Sequence, residues 1–79
     1  MRLDKYLKVS RLIKRRTVAN EACDAGRVMI NGKVAKASAE VKPGDCLTIQ
    51  FGTRTVTVEI VSVEETVRKE EAKEMFRYV

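Results

Sequence analysis

Residues 26 to 32 read Gly26-Arg27-Val28-Met29-Ile30-Asn31-Gly32, and in these seven positions a helix has to give way to a sheet. Asn31-Gly32 is a strong two-residue hairpin signal, because both central positions of a type I′ turn require positive φ. Val28-Met29-Ile30 before it and Val34-Ala35 after it are then the two arms of a hairpin. Gly26 suits the left-handed C′ position that ends a helix. The chain is therefore expected to be helical before Gly26 and extended after it.

Upstream of Gly26, the run Ile13-Lys14-Arg15-Arg16-Thr17 leads into a helix ending at Ala25, with Val18, Ala22 and Ala25 on its inner face. The small residues Ala19, Ala22, Cys23 and Ala25 allow close packing against a neighbour. That neighbour is an earlier helix, in which Leu3, Tyr6 and Leu7 share one face by their three- and four-residue spacing and Arg2, Lys5 and Lys8 form a stripe beside it. Its pattern breaks near Ser10. Asp4 and Lys8, at i and i+4, are placed for an exposed pair that supports this helix.

Downstream, Lys42-Pro43-Gly44-Asp45 suits a type II turn. Leu47, Ile49 and Phe51 alternate with polar residues up to Gly52-Thr53, and Val56, Val58 and Ile60 alternate beyond, which predicts a second hairpin. The apolar phase then shifts to Val61 and Val63, the mark of a bulge or bend. Ala72, Met75, Phe76 and Val79 fall at helical spacing in a charge-rich tail, so a short helix is predicted over residues 67–78, with Lys69 and Lys73 among glutamates on a solvated face. The fold class is α+β: two packed N-terminal helices, a small antiparallel sheet and a short C-terminal helix. The 79 residues fit one domain spanning 1–79.

Net charge is +5, but it is unevenly spread. Residues 1–36 carry ten basic side chains against Asp4, Glu21 and Asp24, a local charge of +7, whereas residues 37–79 sum to −2. Such concentration on one end of a small domain is the footprint of a polyanion partner. The basic cluster Lys14-Arg15-Arg16 falls at the start of the second helix, where free N–H groups and the helix dipole also favour phosphate.

Other chemistries find little support. There is no histidine, phosphate loop or nucleophile motif, so no enzyme, no metal site and no cofactor are expected. Cys23 and Cys46 lack a CxxC arrangement and read as small core residues, not a disulfide. No apolar run approaches the roughly 20 residues of a membrane span, so a cytoplasmic protein without membrane contact is expected. Tyr6, Phe51 and Phe76 are assigned to the core, with stacking on a base the alternative for Tyr6.

Arg2-Leu3-Asp4-Lys5-Tyr6-Leu7, then Arg16-Thr17 with Ala19, then Gly26 to Gly32, then Lys42-Pro43-Gly44-Asp45 resemble, in order and spacing, the S-four RNA-binding module of ribosomal proteins, pseudouridine synthases and tyrosyl-tRNA synthetases. The resemblance covers residues 1 to about 50, leaving a C-terminal hairpin and helix over about 46–79. The stand-alone size, the stretch Lys8 to Thr17 and the tail Lys69-Glu70-Glu71-Ala72 with Met75 make the chain similar to the RqcP family of bacterial ribosome-associated quality control. That resemblance implies an S-four-like (alpha-L) fold that binds rRNA of the large ribosomal subunit and P-site peptidyl-tRNA on stalled subunits, and supports alanine tailing by RqcH. It also implies a ribosome-associated protein that is monomeric when free.

Carried over by position, the RNA-facing residues are Arg2, Asp4, Lys5, Arg11 and Arg16, with Arg27 and Lys33 secondary. Lys8, Lys14 and Arg15 join them on charge and placement. Where many members of the family have a capping serine, this chain has Arg15, so Thr17 is the expected cap of the second helix. Three readings compete with this one: a protein-interaction adapter using the C-terminal helix, a heat-shock-like S-four protein that recycles ribosomes without tailing, and general DNA binding, for which no recognition-helix motif exists.

Overall fold

The computed structural model describes residues 1–79. Helices α1 (Leu3–Val9) and α2 (Arg16–Asp24) are followed by strands β1 (Val28–Ile30), β2 (Lys33–Val34), β3 (Cys46–Phe51) and β4 (Arg54–Ile60), a one-turn helix α3 (Lys69–Ala72) and strand β5 (Phe76–Tyr78). The strands form one antiparallel sheet in the order β2-β1-β3-β4-β5. No helix is long and apolar enough to cross a membrane.

The stretch from Ala25 to Gly32 behaves as its residues dictate. Gly26 is left-handed at φ 74°, its N–H donates to Cys23 O and the Arg27 N–H donates to Ala22 O, the paired bonds that close a helix C-terminus. Asn31 and Gly32 take φ 52° and 83°, as the hairpin turn demands. The Asn31 side chain adds a clamp: its oxygen accepts from Cys46 N–H and its amide donates to Asp45. At the second turn, Gly44 has φ 96° and Asp45 N–H donates to Lys42 O.

Leu3, Tyr6 and Leu7 on α1 pack with Ala19 and Cys23 on α2 against Val28, Leu47, Ile49, Val58 and Ile60 from one face of the sheet. Tyr6 is fully buried, and its hydroxyl donates to Met75 O at 2.8 Å. Phe51 and Phe76 are half-buried against the same core.

Several expectations are corrected. The inner face of α2 consists of Ala19 and Cys23, with the expected Ala22 half-buried against the core; Val18 is 46% exposed and Ala25 lies on the surface. The helix is rotated because Arg16 and Asn20, four residues apart on the same side, both turn to the Asp4 carboxylate of α1. Thr17 does not cap this helix: Arg15 occupies the N-cap position, and no side chain caps the end. Asp4 does not stand in an exposed pair with Lys8, because it is buried.

Cys46 is half-buried and lies opposite Glu59, on the sheet face away from Leu47 and Ile49, since strand alternation sends adjacent residues to opposite sides. The C-terminal helix is confined to Lys69–Ala72, and Phe76–Tyr78 instead pairs with β4. An open β4 edge offers a row of unpaired backbone groups, which outweighs the small gain of a second helical turn. The register places Arg77 opposite Glu59, with Arg77 Nη2 2.5 Å from the carboxylate, and Phe76 edge-on to Tyr78 at 5.5 Å. The bend expected after Ile60 is real: β4 ends there, and the N–H groups of Val61 and Ser62 both donate to Met75 O.

β2 stops at Val34, one residue short of the expected arm, and the sequence assigns no element to residues 36–41. Residues 35–41 pass beneath α1 and bury Ala37 and Val41. Leu3 N–H donates to Ala39 O and Asp4 N–H to Ala37 O, so backbone carbonyls satisfy the first two amides of α1, which the N-cap residue Arg2 does not cap.

Candidate nucleic-acid interface

Asp4 is the centre of the basic end. Its side chain is only 3% exposed, yet it accepts bonds from four groups: the Lys5 backbone N–H, the guanidinium of Arg2, the guanidinium of Arg16 and the Asn20 amide. Burial pushes the Asp4 carboxyl up, but the bonds from Arg16, Asn20 and Arg2 outweigh it and hold the group below its ordinary value of 3.8. A charged carboxylate is thus fixed at the base of two guanidinium groups whose side chains stay 48% and 47% exposed. The arrangement holds two planar cations with their remaining donors toward solvent, a geometry suited to phosphate oxygens.

The turn between the helices makes this meeting possible. Arg11 is left-handed at φ 63°, and the Ile13 N–H donates to Leu7 O, so the chain doubles back and returns Arg16 to the side of α1. Arg16, Thr17 and Asn20 then border a shallow polar depression over Asp4. The uncapped start of α2 lies beside it, with Arg15 exposed at the N-cap.

A second basic feature is an open groove of about 580 Å³ lined by Lys8 of α1, by Arg11 and Lys14 of the turn between the helices, and by Glu65, Thr66 and Lys69 from the C-terminal part. Lys5 stands at its side in an ion pair with Glu65. Lys14 also borders a third, more apolar groove together with Arg27, Val18 and Phe51. Lys33 stands apart, exposed on the edge strand β2 beyond the hairpin turn.

The ten residues expected from the sequence therefore fall into groups. Arg2, Asp4 and Arg16 are joined directly, Lys8, Arg11 and Lys14 share a groove with Lys5 beside it, Arg15 and Arg27 flank these, and Lys33 joins none of them. Two participants escaped the sequence reading. Asn20 was overlooked, although its i+4 spacing from Arg16 was a usable signal. Lys69, expected among solvated glutamates, opens α3 and lines the basic groove.

Comparison with known proteins identifies the family and the fold. The family model of the S4 domain, the S-four module, matches residues 1–46. The chain is 64% identical over 76 residues to the RQC P-site tRNA stabilizing factor of Halalkalibacterium halodurans, covering 96% of this chain and 86% of that protein. It is 60% identical to the protein of the same name from Bacillus subtilis, covering 96% and 88%. The solved structure of Vibrio cholerae heat shock protein 15, 32% identical, matches with a TM-score of 0.93 over 100% of this chain and 81% of that one. With a family match over more than half its length and near-complete coverage by close relatives, the chain belongs to the S4-domain family of RQC P-site tRNA stabilizing factors.

Proposed function

We propose that this protein, one RNA-binding domain throughout, binds rRNA of the large ribosomal subunit and P-site peptidyl-tRNA on stalled subunits, and so supports alanine tailing of the nascent chain by RqcH. The observation that carries this reading is the buried Asp4 carboxylate shared by the half-exposed Arg2 and Arg16 guanidinium groups. Arg2 and Arg16 take phosphate oxygens directly, with Asp4 positioning both. Lys5, Lys8, Arg11, Lys14 and Arg15 extend the contact along the helical pair, and Arg27 and Lys33 touch RNA at the periphery. Phosphate contacts fix register on structured RNA, and the rigid pair reads its shape. The reading supplies no catalytic step and needs no cofactor; the protein acts as a monomer in the cytoplasm, on ribosomes and not on DNA or membranes.

Two relatives named as P-site tRNA stabilizing factors, at 60% identity or more, support the tRNA assignment. The match to heat shock protein 15 favours a second reading, a heat-shock-like S4 RNA-binding protein that recycles ribosomes without a role in tailing. The adapter reading is less favoured, since the C-terminal helix it would use is confined to four residues with Ala72 buried.

The test is sedimentation with large subunits that hold peptidyl-tRNA after stalling, followed by a tailing assay with RqcH. The wild-type protein is expected to travel with these subunits and to lengthen tails, and Arg16→Ala to do neither. If about four to six phosphates are contacted, log K falls with log salt at a slope of roughly −3 to −5. Sedimentation with small subunits alone, or an Arg16→Ala variant that binds normally, overturns the reading; binding without tailing leaves the second one.

A further inference from the structure

Among the eight residues that line the Lys8, Arg11 and Lys14 groove, Glu65 is the single acid. It is not idle there: its Oε1 lies 2.5 Å from Nζ of Lys5, across 60 residues of chain. This pair ties the connection between β4 and α3 to the basic face of α1. Glu65 itself is 76% exposed, and the bond from Lys5 holds its carboxyl below the ordinary range. Thr66 and Lys69 follow it along the groove wall.

A carboxylate seated among lysines presents the same acceptor oxygens as a phosphate. An exposed pair of this kind is weak enough for a phosphate to replace it, and still competes with any anion that needs the same ammonium. We propose that Glu65 is a built-in stand-in for an RNA phosphate: it occupies Lys5 in the free protein and is displaced when an RNA backbone enters the groove. Lys69 completes the groove from the C-terminal side and contacts the same backbone. Glu65 thus lowers the groove's affinity by competing with RNA for Lys5. The assignment rests on the RNA-binding reading above and adds to it a competitor and a C-terminal contact.

The experiment titrates the full chain with a 20-base-pair duplex RNA at several salt concentrations, with circular dichroism to establish folding. Glu65→Gln is expected to tighten binding roughly three- to fivefold and to make the salt slope more negative by up to about one, because Lys5 no longer exchanges a partner. Glu70→Gln, an equal charge change outside the groove, is expected to change affinity less than twofold. In a Lys5→Gln background the gain from Glu65→Gln shrinks to the Glu70→Gln level, and Lys69→Gln weakens binding severalfold. Equal gains from Glu65→Gln and Glu70→Gln, a gain that persists without Lys5, or no gain at all each overturn the proposal. Failure of the ribosomal reading looks different: Glu65→Gln still tightens duplex RNA, while Arg16→Ala leaves sedimentation with stalled subunits unchanged.

Discussion

Arg16 lays Nη2 and Nε against the two oxygens of the Asp4 carboxylate, each at 3.3 Å, while about half of its own side chain remains open to solvent. The contact joins α1 to α2 and orients a guanidinium in the same stroke, so one carboxylate carries both packing and presentation.

Asp4→Asn therefore separates organised from diffuse charge. The substitution raises the net charge by one, which on electrostatics alone strengthens RNA binding. It also removes the anchor of Arg2 and Arg16 and turns an amide toward donors, at a cost in stability of about 1–3 kcal/mol. We expect roughly tenfold weaker RNA binding by the folded variant, approaching the tenfold to hundredfold loss expected for Arg16→Ala at about 1.5–3 kcal/mol. Arg16→Lys falls between, since an ammonium cannot reproduce the bidentate geometry. In a double-mutant cycle, Asp4 and Arg16 are expected to be strongly non-additive. Tighter binding by Asp4→Asn at fixed salt runs against the clamp.

The same carboxylate makes part of the stability depend on pH. Its folded pKa lies below the ordinary 3.8, so the stabilisation is fully present above that value and is lost as pH falls through the lower, folded one. The difference in Tm between the wild type and Asp4→Asn isolates this contribution. Melting curves between about pH 5 and pH 2 are expected to converge at the acid end. A constant difference between the two proteins across that range shows that Asp4 is not the titrating group.

Tyr6 is expected to matter for stability and not for RNA. Its hydroxyl shares Met75 O with two backbone N–H groups, so Tyr6→Phe leaves the carbonyl satisfied. The loss is then about 0.5–1.5 kcal/mol, or several degrees in Tm at about 4–8 °C per kcal/mol for a domain of this size. RNA affinity of the folded variant is expected to stay within about twofold, because a fully buried ring has no face to offer a base. A large selective loss of binding in Tyr6→Phe contradicts this.

The two thiols are expected to differ. Burial, with added repulsion from Asp4 and Asp24, pushes the Cys23 thiol up to about 11, so it stays protonated and inert at neutral pH. Cys46 is half-buried on the outer sheet face. Under native conditions a thiol reagent at about pH 8, below the raised Cys23 value, should label Cys46 first and Cys23 only as the protein unfolds. Peptide mapping of the labelled protein reads the order directly, and prior labelling of Cys23 in folded protein shows that the α1–α2 packing opens readily.

Much of the fold follows from short stretches. Gly26, Asn31-Gly32 and Pro43-Gly44 impose their turns because each is a preference of one or two residues for a φ that others avoid, and no distant contact is needed. The inner face of α1 and the β3–β4 hairpin are equally legible, since Leu3, Tyr6 and Leu7 repeat at the helical period and Leu47, Ile49, Val58 and Ile60 at the strand period. The charge asymmetry that points to RNA is a property of composition alone.

The rotation of α2, the burial of Ala37 and Val41, and the strand at Phe76–Tyr78 were decided by the tertiary structure. Each depends on a partner far along the chain, and the energies that favour it exist only once that partner is in place. Asp4 shows the difference most clearly: by resemblance it is an RNA-facing residue, but by local spacing it is only an acid four residues from a lysine, an exposed pair worth a few tenths of a kcal/mol. Folding brings Arg16 and Asn20 to it from 12 and 16 residues away, and burial together with those bonds turns it into the anchor of the candidate site. Local preference determines where a chain turns and which face is apolar; which charges meet is determined by how those faces pack.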